Sequence, residues 1–205
     1  MNRSKLSLLS NLQLLLLCCN IIGVPKQTAL CLERVGGSMG QTFKSDFFHG
    51  LSEADIATVL MYFEEAEFLK DTMLMTEGVA GDEMMLIMTG RVSVKVQGYY
   101  VKSFGAGTIM GEISLIDNGA RTASIFALTD VAVLKLTTTS WLRLQNEQPK
   151  IFAKLNFNLN CIMAQKFRST VQMIHQLHAE VHKLEAKLGD VSFKKFKQIL
   201  TKPLF

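Results

Sequence analysis

The chain has 205 residues, 48% of them hydrophobic and 20% charged, with 22 basic and 18 acidic side chains giving a net charge of +4. That length holds one domain of ordinary size plus extensions and excludes a barrel of about 250 residues. The apolar fraction excludes a disordered chain. The surplus charge does not amount to a nucleic-acid footprint. Lys183, Lys187, Lys194, Lys195, Lys197 and Lys202 crowd near the C-terminal end, where they read as a solvated helix face.

Residues 1–45 begin with Arg3 and Lys5 and then run apolar, densest from Leu14 to Cys19. Asn11 and Gln13 interrupt the run, no small-residue cleavage site follows, and the unbroken part falls short of the about 20 residues a bilayer span needs. The segment is expected to be an extension or the remnant of an upstream domain, with a short helix near Leu30–Val35 closed by Gly36-Gly37. Membrane association through it is a secondary reading. Cys18, Cys19, Cys31 and Cys161 form neither a CxxC pair nor a dense disulfide pattern, which fits reduced thiols in a cytoplasmic protein.

A helical pattern follows through Phe47, Leu51, Ile56, Val59 and Leu60, with Ser52 as N-cap and Asp55 three residues on. From Phe68 to Leu136 the texture is that of short strands punctuated by turns: Met84–Met88, Val92–Val96, Tyr100–Phe104, Thr122–Leu128 and Val131–Leu136, with Gly90, Gly98, Gly105 and Gly107 between them. Val92, Val94 and Val96 alternate with Ser93 and Lys95, the period of a half-buried strand. Many short strands at this spacing predict a small roll or barrel. Met84, Met85 and Met88 read as core filler.

The last third is helical. Asn160, Met163, Phe167, Thr170, Ile174, Leu177, Val181, Leu184 and Leu188 recur three and four residues apart, a heptad seam that predicts a parallel homodimer through this helix. The fold expected is therefore α+β: a small antiparallel β-roll of the double-stranded β-helix or jelly-roll type, flanked by helices, with a long C-terminal helix. The boundaries expected are 1–45 for the extension, 46–150 for the β-roll with its leading helix, and 151–205 for the long helix and basic tail.

The segment that carries chemistry runs from Gly105 to Ser124. Gly111 opens a short helical turn between two strands, lets the backbone approach a ligand closely, and places the following amides at a helix N-terminus. Arg121 starts the next strand, where its guanidinium can pair with two phosphate oxygens. Thr122 adds a hydroxyl and Glu112 an acceptor for sugar hydroxyls. A carboxylate among phosphate donors repels an anion unless it faces the sugar, which points to a nucleotide.

Gly111-Glu112-Ile113-Ser114-Leu115-Ile116-Asp117-Asn118-Gly119-Ala120-Arg121-Thr122-Ala123-Ser124 resembles the phosphate-binding cassette of the cyclic nucleotide-binding domain. This is the family of bacterial catabolite activators, cyclic-nucleotide-gated channels and kinase regulatory subunits. Glu77-Gly78 to Asp82, followed by Leu86 to Val92, also looks like the family's turn-and-strand signature. The resemblance covers about Phe47 to Phe167 and implies cAMP or cGMP as ligand. It gives Gly111 and Ile113 backbone contacts near the sugar-phosphate, and Glu112 the ribose 2′-hydroxyl. Arg121 takes the cyclic phosphate, Thr122 a hydroxyl contact and Ala123 an amide contact, with the small residue Ser114 counted in the same binding set. Thr122 resembles the residue of members that accept or prefer cyclic GMP. Two positions depart from the pattern: Met110 replaces a usual aromatic, and Ala120 a proline that often precedes the arginine.

Other motifs point elsewhere. Gly105-x-Gly107-x-x-x-Gly111 has the wrong last spacing for a dinucleotide fingerprint and lies in no βαβ unit. Gly36-x-Ser38-x-Gly40 matches a nucleophile elbow but lacks the central strand, following helix and large sheet that one needs, so it reads as a glycine linker. His175, His178 and His182 share one helical stripe with Glu185 and read as a solvated flank, with no metal or other cofactor implied. No acid/base or nucleophile set is evident, so a regulatory module and not an enzyme is expected. The alternative is a dimerisation domain on the same fold that has lost its ligand. The residues after Leu188 show no two-helix DNA-reading pattern, so no nucleic-acid partner is expected, and the effector that receives the signal is unknown.

Overall fold

A computed structural model describes residues 45–188, with side chains through Leu184. The expected short helix near Leu30–Val35, the glycine linker and most of the basic tail lie outside the described residues, and so does Glu185 as a side chain. Two compact units divide between Leu159 and Asn160.

The first unit begins with a single 3-10 turn, Asp46–Phe48, followed by helix α1, Glu53–Leu60. Ser52 caps α1 as expected. Its Oγ accepts from the Asp55 amide at 3.2 Å while the Asp55 carboxylate accepts from the Ser52 amide at 3.3 Å, a reciprocal box that satisfies two otherwise orphaned donors. Eight strands then follow: β1 Glu64–Phe68, β2 Met73–Met75, β3 Glu83–Thr89, β4 Arg91–Val96, β5 Tyr99–Gly105, β6 Ile109–Met110, β7 Ser124–Ala127 and β8 Val131–Thr137. Helix α2, Glu112–Asp117, interrupts the run between β6 and β7. Helix α3, Thr138–Glu147, and helix α4, Pro149–Leu188, close it.

The strands form two antiparallel four-stranded sheets in the orders β1-β8-β3-β6 and β2-β7-β4-β5. The fold is thus the α+β roll with flanking helices and a long C-terminal helix that the strand spacing and helical periodicity predict. Met75, Met85, Ile87, Val92, Met110, Ile125, Val131 and Val133 make the core between the sheets. Met84 and Leu86 are equally buried but alternate with these, so they face the opposite side of β3. A strand buried on both faces loses the alternation that usually marks one, and β3 therefore reads as a continuous apolar run.

Simple alternation also fails in β4. Ser93 is buried, because it stands in register with Phe126 on β7 and Ser103 on β5, and Lys95 lies over the Phe126 ring at 4.7 Å. The outer face of this sheet is therefore roofed by a half-buried aromatic and the stem of a lysine.

The 3-10 turn, Phe63 just after α1, helix α3 and the start of α4 meet in an aromatic cluster. The Phe47, Phe48, Phe63, Trp141 and Phe152 rings lie with neighbouring centroids 4.6–6.5 Å apart, the range in which edge and offset contacts are favourable. Asn158 of α4 secures the 3-10 turn to this cluster by donating to the Phe47 carbonyl at 2.9 Å and the His49 carbonyl at 2.8 Å. Ser45 extends the same tie by donating to the Gly107 carbonyl at 2.8 Å, just before β6.

In the second unit, the residues of α4 from Asn160 on carry the predicted heptad positions on their surface. Phe167 is 70% exposed and Leu177 59%, with Ile174 and Leu184 also open, and His175, His178 and His182 are exposed on the same stretch. Among the described residues, no helix is long and apolar enough to cross a membrane.

Candidate functional site

The site is assembled where the chain leaves β6, turns into α2 and enters β7. Gly111 caps α2 in the left-handed conformation, φ 78° and ψ 9°, a region that costs a side-chain-bearing residue about 1–2 kcal/mol. A Cβ there would also lie 2.7 Å from Met75 Cε and 2.9 Å from the Glu83 carbonyl. The turn is tight against the core below it, so glycine is required for both conformation and space. Asn118, also left-handed at φ 54°, ends α2, and its amide donates to the Ser114 carbonyl.

Arg121 is only 8% exposed, unusual for an arginine. Two segments hold its backbone. The Gly78 amide donates to the Arg121 carbonyl and the Arg121 amide to the Val79 carbonyl, both at 2.8 Å, while Ala80 and Ala120 form an antiparallel bridge. Its Nη1 donates to the Gly111 carbonyl at 3.0 Å. Burial pulls the guanidinium below its ordinary value, opposed by the negative charges of Glu83, Asp82 and Glu112 in that order. An arginine stays protonated through such shifts, so the site keeps a fixed, partly desolvated positive charge beside the start of α2.

The predicted residues fall into two groups around that charge. Glu112, 4% exposed, and Ser114, 1% exposed, lie on the buried side of α2, and Ile113 faces solvent. Thr122 is exposed and Ala123 half-buried at the entry to β7. Glu112 and Arg121, nine residues apart in sequence, are thus brought near each other, with the Gly111 carbonyl accepting from Arg121. Of the two departures from the family pattern, Met110 is 4% exposed and belongs to the inter-sheet core, while Ala120 is exposed.

The sequence marks Glu77-Gly78 to Asp82 as a turn resembling the family's signature but does not show that Gly78–Asp82 forms the floor under Arg121. The Asp82 carbonyl fixes its far end by accepting from the Thr138 amide at 2.7 Å and hydroxyl at 2.9 Å. Glu77 fixes the near end. Its amide donates to Ser124 Oγ at 3.0 Å and its carboxylate accepts from the Gln97 amide at 2.7 Å. The pair Gly78 and Gly81 was the available signal, but its partner is some forty residues away in sequence.

The turn between the two sheets thus brings together a buried arginine, a left-handed glycine and an adjacent carboxylate. Residues 65–148 match the cyclic nucleotide-binding domain family, and this segment is a domain of that family. It is 33% identical over 88 residues to the cGMP-dependent protein kinase egl-4 of Caenorhabditis elegans, an alignment covering 43% of this chain and 11% of the kinase. To the Cyclic AMP receptor protein of Thermus thermophilus it is 28% identical over 129 residues, covering 60% of this chain and 58% of that protein. The crystal structure of the Thermus thermophilus Catabolite Activator Protein superposes with a TM-score of 0.59 at 27% identity, covering 67% of this chain and 65% of that one. The chain thus spans 11% of the kinase and 58% of the receptor protein.

Proposed function

We propose that this domain binds a cyclic nucleoside monophosphate, cAMP or cGMP, in the cradle from Gly111 to Ala123, and passes occupancy on through α4 without catalysing a reaction. One observation carries this reading: a buried arginine is clamped against the carbonyl of the left-handed Gly111, with Glu112 one residue away. Arg121 is the charge for the cyclic phosphate and Glu112 the acceptor for the ribose 2′-hydroxyl, with amides of Ile113 and Ala123 beside the sugar-phosphate. Thr122, exposed after the arginine, resembles the residue of family members that accept or prefer cGMP.

Met110 supports an unobstructed cradle. A ligand-free interaction domain would be favoured by a side chain filling the site, and this methionine is committed to the core instead. Ligand can move α4 only through its difference in affinity for two helix positions. From Asn160 on, α4 exposes Phe167, Ile174, Leu177 and Leu184, and we read this stripe as a parallel homodimer seam.

Isothermal titration with cAMP and with cGMP tests the ligand. Saturable binding at sub-millimolar nucleotide that Arg121→Ala weakens by about 100-fold or more is expected, and equal binding by that variant overturns the assignment. Analytical ultracentrifugation tests the seam. A dimer that Leu177→Lys converts to monomer is expected, and a monomeric wild type overturns it.

A further inference from the structure

The glycines of the loop beneath Arg121 differ in why they are glycine. Gly78 has φ 79° and open space where a Cβ would stand, so it serves conformation. Gly81 is the opposite case. Its φ lies outside the left-handed region, yet a Cβ there would overlap the Arg121 side chain at Cζ and Nε and lie 2.8 Å from Cδ. Gly81 is therefore glycine because the arginine occupies its side-chain space.

The surroundings determine which partner must yield. The loop cannot retreat, since Gly78 and Val79 are hydrogen-bonded to the Arg121 backbone, Ala80 bridges Ala120, and Asp82 is tied to Thr138. The guanidinium is held on the α2 side as well, because Nη1 already donates to the Gly111 carbonyl at 3.0 Å. The head group thus fills the side-chain space of two glycines, Gly81 and Gly111. We infer that Gly81 is a positioning residue for the anion: by leaving its side-chain space to Arg121, it fixes where the guanidinium stands and so sets the affinity for the cyclic phosphate. Holding the arginine in one place before ligand arrives removes ordering that binding would otherwise require.

The inference rests on the proposed ligand for its affinity arm and stands apart from it in a second arm. In nucleotide-free protein, the Arg121 Nε–H resonance, assigned by its loss in Arg121→Ala, is expected to shift in Gly81→Ala. An unmoved resonance overturns the placement, whether or not nucleotide binds. In titrations with cAMP and cGMP, Gly81→Ala is expected to weaken binding between about 10-fold and 100-fold, the loss from misplacing charge-assisted hydrogen bonds. Introduced into Arg121→Ala, the same change is expected to alter residual affinity less than about 2-fold, as two residues acting through one contact are non-additive. An equal loss in both backgrounds, or a moved resonance with unchanged affinity, overturns the role. Should Gly81→Ala fail to fold, recovery of its circular dichroism in Gly81→Ala/Arg121→Ala supports the inference, and continued unfolding of the double variant overturns it. Failure of the wild type to bind either nucleotide removes the ligand but leaves the resonance to decide the placement.

Discussion

Arg121 and Arg143 show two ways of placing a cation. Arg143, on α3, lies over the Tyr62 ring at 4.7 Å with its Nε 3.8 Å from Glu147 Oε1, and its side chain is about half exposed. Tyr62 completes that group by donating its hydroxyl to Glu147 Oε2 at 2.7 Å. Its partners are flexible side chains that can re-form around a change. Arg121 is placed by backbone: a carbonyl, two glycines and a bridged loop. A cation held by side chains is adjustable and contributes mainly to packing. One held by main chain has a fixed address, which suits recognition of a ligand with fixed geometry.

Replacing each arginine by alanine should break this comparison most clearly. Arg121→Ala should weaken cyclic nucleotide binding by about 100-fold or more, because a bidentate charge-assisted contact is lost, while Arg143→Ala leaves the titration unchanged. Next in size is Gly111→Ala, expected to lower stability by about 2–3 kcal/mol in urea denaturation through left-handed strain and crowding on Met75 and the Glu83 carbonyl. Tyr62→Phe should cost about 1–2 kcal/mol near pH 8 by removing a hydrogen bond to a charged acceptor.

That third effect depends on pH with a definite sign. The Tyr62 phenol is raised above its ordinary 10.0, first by burial, then by the hydrogen bond and charge of Glu147, against the lowering influence of Arg143. Above about pH 10 the unfolded chain releases a proton that the folded state keeps, so the contribution of Tyr62 is full below that pH and declines above it. Paired denaturation curves of wild type and Tyr62→Phe at about pH 8 and pH 10.5 should therefore lie closer together at the higher value. Arg143→Ala has the smallest expected effect on stability, about 0.5 kcal/mol or less, since its ion pair with Glu147 is exposed and salt-screened.

How much of this was legible in sequence depended on what encodes each part. Gly111, Glu112 and Arg121 could be picked out together because they lie within one short segment that forms a turn. β4 and β5 could be read from β-rich runs between glycines, and β8 from the run Val131–Leu136 after Thr129-Asp130. β1 could not, because Glu64-Glu65-Ala66-Glu67-Phe68 is acidic and becomes a strand only by pairing with β8. An edge strand tolerates such charge, and the charge itself deters pairing with another chain. Helix α3 was missed for a related reason, as Thr138–Glu147 buries only Trp141 and Leu144 and gives a weak apolar period. The grip of Gly81 on Arg121 and of Asn158 on the 3-10 turn link residues about 40 and 110 positions apart. No local pattern records such contacts.

Trp141 is the only tryptophan in the chain. It is buried on α3, with the Phe152 ring of α4 at 4.6 Å and the Phe47 ring of the 3-10 turn at 6.5 Å. Its fluorescence therefore comes from one known place, where the helix leaving the β-roll meets the segment entering it. A change in how the first turns of α4 rest on α3 alters the surroundings of that indole, so the protein carries its own optical gauge of the junction and needs no attached dye.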